Sequence, residues 1–451
     1  MNSAPLGWPK IVRLGLVQTA LGAIVVLMTS TINRVMVVEL ALPAMIPGLL
    51  VASHYGVQIL RPAWGYGSDV GGRRTPWIIG GMAILALGGL GAALGTALAA
   101  TSSILGIALA AAAFLLVGVG AGAAGTSVLA MLASRVAPER RAAAATTVWV
   151  MMIFGFAITA PLAGHFLDPF SNARLVAVTA TVSGLAFLLA CLAVWGIEDK
   201  PNALARPASP HAKPPFREAF LQVWSEPSAR QFTVFIFVSM LAYSAQELLV
   251  EPFAGLVFRM PPGVTTKLAG LQHGGVLIGM ILVAVAASAI GGRTLGSLRM
   301  WTVAGCLASA VSLAAIAASG MLDAGPLALR ASVFALGLSN GVFAVAAIGS
   351  MMGLAGSGAG SREGTRMGLW GAAQAVAFGL GGLTATVLVD IARSFEVSPV
   401  TAYASVFIVE ALAFVGSAIL ANRIPQGASQ EAPSVPQRPA RNNQASVVTQ
   451  N

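Results

Sequence analysis

Two short segments, each near the end of a long apolar run, carry ionisable side chains that could form a gate or bind a ligand. The first contains Arg34 and Glu39, and the second contains Gln246, Glu247 and Glu251. Charges in or beside a membrane span are costly, so they indicate functional positions. Because Glu247 and Glu251 are four residues apart, both are expected on one side of a helix.

Arg34 is the base at the matching position in the first half of the chain. A contact between Arg34 and Glu247 or Glu251 is therefore predicted on the outer side of the molecule. Three roles stay open for these groups: a structural gate without ligand, proton coupling, or contact with cargo. Glu410 stands alone in the last apolar run and must find a partner, reach the membrane surface or be protonated.

A second charged motif lies in the loop between the second and third apolar runs. Gly65, Asp69, Gly72, Arg73 and Arg74 fill the pattern Gly-x-x-x-Asp-x-x-Gly-Arg-Arg, which resembles the loop motif of the major facilitator superfamily. An acid and two bases on a tight cytoplasmic turn can form an ion pair that locks neighbouring helices. The sequence therefore predicts a charged gate at this loop.

Parts of the first half return in the second. Residues 71–73, Gly-Gly-Arg, recur at 291–293 with an offset of 220, and Arg141 recurs as Arg362 with an offset of 221. The second loop lacks the acid, so weaker gating by that half is expected. Two anchors at nearly one offset indicate parallel six-helix repeats related by an axis along the membrane normal, which is the major facilitator arrangement.

The composition requires a membrane protein. Of 451 residues, 57% are hydrophobic and 9% are charged, and the mean hydropathy is +0.82, whereas a soluble domain has about 25% charged residues. The net charge of +10 does not predict a nucleic-acid partner, because few bases lie in the odd-numbered loops if the N-terminus is cytoplasmic. Those bases are Arg34, Arg174, Arg259, Lys267, Arg330 and Arg393. The predicted partner is the lipid bilayer.

The pattern predicts an all-α membrane protein of twelve transmembrane helices with the major facilitator fold and both termini cytoplasmic. The helices are predicted at 12–36, 41–62, 75–97, 103–133, 142–164, 175–197, 230–257, 266–289, 298–320, 327–355, 364–392 and 399–422. An N-terminal six-helix bundle is expected at 1–197 and a C-terminal one at 230–424. A proline-rich cytoplasmic linker at 198–229 joins them, and a disordered tail follows at 425–451.

Residues 31–39 and 246–255 resemble signature segments of the bacteriochlorophyll delivery family, the PucC and LhaA group of the major facilitators. The likeness covers residues 11–422 and implies bacteriochlorophyll handling during antenna assembly, in the inner or intracytoplasmic membrane of a phototrophic bacterium. The short N-terminus and compact loop at 65–76 are most similar to the branch labelled bacteriochlorophyll synthase 44.5 kDa chain. That label implies association with the synthase and not catalysis by this chain.

Bacteriochlorophyll is thus expected as cargo and not as a catalytic cofactor. The magnesium of a chlorin takes an axial ligand, often a histidine nitrogen, which makes His54, His165 and His273 candidates. A hydrogen bond to a neighbouring helix is the alternative for each, and a backbone carbonyl or water could replace the imidazole. The expected protein partners are bacteriochlorophyll synthase and antenna polypeptides.

Neither catalytic residues nor a metal site are predicted, because the acids form no Asp-rich cluster and no phosphate-cradling loop is present. The leading hypothesis is a bacteriochlorophyll-handling carrier or chaperone. One alternative is a proton-coupled exporter of a small amphipathic molecule, and another is an assembly factor that transports nothing.

Overall fold

The computed structural model describes residues 6–61, 64, 73–137, 140–198, 224–286, 297–357 and 363–423, and within them all regular structure is helical. The helices are α1 Trp8–Val26, α2 Met45–Val57, α3 Thr75–Ala99, α4 Ser103–Arg135, α5 Arg141–Phe166, α6 Asn172–Val194, α7 Pro227–Val257, α8 Pro262–Ala286, α9 Leu298–Met321, α10 Gly325–Ser357, α11 Glu363–Ser394 and α12 Pro399–Arg423. The predicted twelve-helix, all-α fold is confirmed, with boundaries that shift by only a few residues.

Eleven of the helices are long and apolar enough to cross a membrane, and the twelfth is the shorter apolar segment Met45–Leu60 formed by α2 and a 3-10 turn. A helix pairs its own backbone groups, so it satisfies them where no water is available. The chain is therefore a multi-pass membrane protein. The predicted tail, the Asp69 turn, its second copy at 291–293 and most of the predicted linker lie outside the described residues.

The buried apolar side chains form two main cores. One contains residues of α1–α6 together with Leu248 and Ala269, and the other contains residues of α7–α12. The two halves are joined along two helix pairs, α5 with α8 and α2 with α11. Any polar group at these two seams lies where relative movement of the halves would change its surroundings.

Small residues let helices approach closely where no hydrophobic effect draws them together. On α3, Gly81, Gly88 and Gly95 are seven residues apart and all face α4. A Cβ atom at Gly81 would lie 2.6 Å from the Ala124 nitrogen, and one at Gly95 would lie 2.6 Å from the Ala110 nitrogen. The regular spacing of these glycines thus allows the close contact between α3 and α4.

The end of α1 is irregular. The helix continues through two π-helical segments, Leu27–Ile32 and Val35–Glu39, with Asn33 and Arg34 between them. π-Helical turns are rare in proteins overall, and those that occur are often found at functional sites. Both flanked side chains are buried, with Asn33 1% and Arg34 2% exposed. We call the end of the bundle that carries the α1–α2, α5–α6, α7–α8 and α11–α12 connections the odd-loop face.

Candidate functional site between the two halves

Arg34 joins the halves at the odd-loop face. Its Nη1 group forms an ion pair with Glu39 on the same helix, and its Nη2 group donates to the Met260 carbonyl at 2.7 Å. The ion pair of Arg34 is therefore local and is not the predicted direct pair with Glu247 or Glu251, although Glu251 lies near enough to Arg34 to interact with it electrostatically. A π-helix brings residue i+5 beside residue i, and Glu39 is five residues after Arg34.

Two further bonds fasten the π-helical part of α1 to the second half. The Thr31 and Thr266 hydroxyl oxygens are 3.0 Å apart, and the Asn33 amide nitrogen donates to the Leu248 carbonyl at 2.8 Å. These groups lie in the segment that sequence reasoning singled out for Arg34 and Glu39, but their partners are backbone and hydroxyl groups. Such partners carry no charge signal in a sequence.

Glu247 and Glu251 face a common space, as their four-residue spacing predicts. We call this space the central chamber. Its walls come from α1, α7 and α8, and its volume is about 10 Å³. The lining residues are Thr29, Ser30, Glu247, Val250, Glu251, Ala269, Gln272 and His273. The chamber therefore lies at the boundary between the halves, with Thr29 and Ser30 contributed by one half and the other lining residues by the other.

Buried polar atoms in this region lack partners. Both carboxylate oxygens of Glu251, both amide atoms of Gln246 and Nδ1 of His273 make no hydrogen bond to any described residue, and Glu251 is only 2% exposed. About nine in ten buried polar groups in proteins are hydrogen-bonded. This concentration of unsatisfied groups indicates a site that is completed by a bound species.

Aromatic side chains adjoin the chamber. Glu247 lies near the phenols of Tyr55 on α2 and Tyr243 on α7. Both rings contact Phe378 of α11, with centroid distances of 5.3 Å and 5.7 Å. Sequence reasoning missed this cluster, because its members are far apart in the chain and share no periodic pattern.

A carboxylate from α11 closes the other seam between the halves. Asp390 accepts backbone N–H bonds from Ala44 at 3.0 Å and from Met45 at 2.7 Å. These are the first N–H groups of α2, which have no partner within the helix. The positive end of the helix dipole further favours a carboxylate there. Asp390 therefore caps a helix of the opposite half.

Asp168, which follows α5, occupies the equivalent place at the first seam. Its carboxylate lies against Gly263 in the first turn of α8, and its Oδ2 is 3.4 Å from the Lys267 Nζ. Asp168 and Asp390 are 222 residues apart, close to the offsets of the repeated motifs. We call these two contacts the latches. The shared offset is a signal in the sequence from which the equivalence of Asp168 and Asp390 could have been predicted.

At the opposite end of the bundle, Arg74 and Glu198 connect α3 to the end of α6. The Glu198 carboxylate accepts the N–H groups of Arg74 at 3.0 Å and Thr75 at 2.8 Å, and Arg74 donates from Nη1 to the Ala130 carbonyl at 2.6 Å. Burial disfavours the charged form of Glu198, but the donated bonds and the nearby Arg73 outweigh it and hold the pKa below its usual range. The predicted partner Asp69 lies outside the described residues, and Glu198 was not predicted.

The three histidines differ in surroundings. His54 is buried on α2, and its Nε2 accepts from the Gln58 amide at 2.9 Å. His273 borders the central chamber, with its ring 4.8 Å from that of Phe156. His165 is exposed near the end of α5, where its ring contacts Phe166. His54 is therefore hydrogen-bonded within its own helical segment and not to a neighbouring helix as the alternative had it, while His165, of these three, faces outward.

The sequence has close relatives among proteins of phototrophic bacteria. Residues 31–428 match the PUCC protein family. The bacteriochlorophyll synthase 44.5 kDa chain of Rhodobacter capsulatus is 53% identical over 419 residues, which cover 93% of this chain and 96% of that protein. Protein PucC of Rhodobacter capsulatus is 31% identical over 428 residues, which cover 90% of each chain.

Solved structures share the architecture. The nucleoside transporter NupG superposes with a TM-score of 0.70 at 12% identity, over 92% of this chain and 99% of that one. A D-xylose-proton symporter superposes with a TM-score of 0.69 at 14% identity, over 93% and 98% of the two chains. These likenesses show the major facilitator fold alone. With the match over residues 31–428 and the relative at 53% identity, the chain belongs to the PUCC protein family.

Proposed function

We propose that this protein is a bacteriochlorophyll-handling carrier or chaperone for the assembly of photosynthetic antenna complexes. The observation that carries the proposal is the 53% identity, over nearly the full length of both chains, to a protein named as a bacteriochlorophyll synthase chain. The working site is the inner or intracytoplasmic membrane of a phototrophic bacterium, in association with bacteriochlorophyll synthase and antenna polypeptides.

A carrier role suits the arrangement of polar groups better than catalysis does. The charged side chains at the seams, Arg34, Asp168 and Asp390, bind backbone groups or an oppositely charged side chain close by. Such contacts can hold or release a conformation but have no reacting atom to act on. The transporter fold supports the same reading. We therefore assign the chemistry implied by the relative's name to a partner enzyme.

In this conformation of the protein, the central chamber cannot be the pigment-binding site. A space of about 10 Å³ holds roughly one water molecule and excludes a chlorin ring. Pigment would bind after the halves separate, or on the membrane-facing side of the bundle. His165 is exposed beside the exposed ring of Phe166, so it is the histidine that a chlorin could reach without rearrangement.

The test is the absorption spectrum of the protein purified in mild detergent from a phototrophic host, with mass spectrometry of the proteins that accompany it. We expect a near-infrared bacteriochlorophyll band that persists after the partners are stripped. We also expect the band to weaken in His165→Ala and to stay in the matched variant His54→Ala.

A protein that lacks the band but retains synthase or antenna chains would contradict the pigment-binding proposal and favour a purely structural assembly factor. A protein with neither pigment nor partner would favour the proton-coupled exporter, for which Glu247 and Glu251 in the central chamber provide the motivating observation.

A further inference from the structure

The central chamber contains a carboxylate that forms no direct ion pair with any described residue. Glu251 is 2% exposed, and neither of its oxygens has a hydrogen-bond partner within the part of the chain that the structure describes. Arg34 is the nearby base, but its guanidinium is already paired with Glu39 and bonded to the Met260 carbonyl. A lone buried charge is expensive, so the negative charge of Glu251 requires a positive species bound beside it.

Two hydroxyl oxygen atoms lie close to the Glu251 carboxyl. Ser30 and Thr265 lie beside the Glu251 carboxyl. The Thr265 hydroxyl donates its proton to the Pro262 carbonyl at 3.0 Å, and the Ser30 oxygen is 3.5 Å from that of Thr31. A hydroxyl oxygen keeps acceptor capacity while it donates. Oxygen ligands of this kind suit hard cations and not soft transition metals.

The size of the chamber restricts the ligand further. Its volume of about 10 Å³ is near the lower limit of roughly 10–15 Å³ for one water molecule. A proton, carried on Glu251 or on a water, fits this space, and so does a sodium ion without most of its hydration shell. A sugar, a nucleoside or a chlorin does not fit.

We propose that the central chamber is a binding site for one small cation, a proton or Na⁺, held by Glu251 with the Ser30 hydroxyl. Three charged or titratable groups surround Glu251: Arg34 from α1, His273 from α8 and Glu247 on its own helix. The other helices packed on α7, namely α10, α11 and α12, contribute no titratable side chain to the described lining.

Occupancy of this site bears on the conformation of the whole protein. Ser30 belongs to one half and Glu251 to the other, so a cation bound between them fastens the two halves. Loss of the cation leaves Glu251 charged beside Arg34, which also holds the Met260 carbonyl. The inference concerns the cation alone and does not depend on the identity of the cargo.

The experiment is infrared difference spectroscopy of the purified full chain in lipid nanodiscs, titrated with pH in potassium and in sodium buffers. We expect a protonated-carboxyl band that disappears in Glu251→Gln. If the ligand is a proton, the band titrates identically in both buffers. If Na⁺ competes, sodium lowers the pH at which the band appears, and Glu251→Gln abolishes this shift.

Glu410→Gln is the matched control, since Glu410 is also a buried carboxyl, 4% exposed on α12, with no hydrogen-bond partner among the described residues. It should remove its own band and leave the response to pH and sodium intact. Melting temperatures verify that each variant is folded. A Glu251 carboxyl that stays ionised at all pH values and ignores sodium would overturn the proposal. If the Glu251 band responds to pH as expected but the purified protein holds no pigment, only the proposed function is contradicted.

Discussion

At the residue scale, a few carboxylates bind to the ends of helices, two of them at the seams between the halves. Asp390 caps α2 from the opposite half, Asp168 lies at the start of α8, and Glu198 caps α3 within one half. Each carboxylate satisfies N–H groups or a dipole that the helix cannot satisfy itself. Such contacts can break and re-form without burying an unpaired charge, because water can replace them at the ends of the bundle.

Asp390→Asn should loosen the odd-loop face. Loss of a charged helix cap costs about 1 kcal/mol, which corresponds to roughly a fivefold change in an opening equilibrium. In a background without Cys191 and Cys306, a cysteine at buried Thr266 reports that opening by its reaction with a water-soluble thiol reagent. We expect about fivefold faster labelling in Asp390→Asn.

The control for that experiment is Glu396→Gln, which removes an exposed carboxylate just beyond the same helix. It should leave the labelling rate of the Thr266 cysteine unchanged. Equal rates in Asp390→Asn and in the background protein would show that the latch does not hold the seam.

The contact of Glu198 with α3 should weaken in acid. The pKa of Glu198 is lower in the folded protein than its usual 4.5, so its stabilising effect is complete above that value and is lost as pH falls through the folded pKa. The melting temperature of Glu198→Gln should therefore lie below that of the wild type at pH 7, and the gap should narrow below about pH 4.5. A gap that is constant with pH would contradict the charged cap.

At the scale of elements, the helices could be predicted from the sequence, whereas most of the contacts between them could not. Long apolar runs separated by short polar loops indicate membrane helices, because a helix pairs all its backbone groups within one segment where no water is available. The π-helical segments of α1 could not be predicted, since they depend on how Asn33 and Arg34 meet the second half. The choice of Glu39 over Glu251 as ion-pair partner follows from those segments.

Other contacts of the site had a weaker signal or none. Asp168 and Asp390 share the repeat offset and could have been found by comparing the two halves residue by residue. Glu198 was grouped with the linker because polar residues follow it. The aromatic cluster around Glu247 depends on three helices meeting, which no local pattern encodes.

The seam between α5 and α8 can be tested at two glycines one turn apart. A Cβ atom at Gly270 would lie 2.4 Å from the rigid ring of Pro161, whereas one at Gly274 would meet no atom of the described residues within 4 Å. Gly270→Ala should destabilise the protein by about 1–3 kcal/mol through overpacking and lower its melting temperature. Gly274→Ala should leave it unchanged or raise it slightly. Equal effects would contradict the close approach of the two helices.

At the scale of the whole molecule, the protein has two seams with related latches and one chamber between its halves. Asp168 acts on α8 and Asp390 acts on α2, while the chamber is built from α1, α7 and α8. The two latches thus join equivalent helices of the two halves, whereas the chamber takes one helix from the first half and two from the second. This arrangement suits a protein that changes the separation of its halves while handling a large cargo.

A pigment-transfer assay tests the proposed carrier function most directly. The purified protein, loaded with bacteriochlorophyll in nanodiscs, is mixed with antenna polypeptides that lack pigment, and absorption follows the pigment from the protein to the antenna complex. We expect transfer that is faster than from pigment in empty nanodiscs. We also expect a disulfide between Thr31→Cys and Thr266→Cys, whose native hydroxyl oxygens are 3.0 Å apart, to block transfer until the disulfide is reduced. Transfer no faster than from empty nanodiscs would contradict the carrier function.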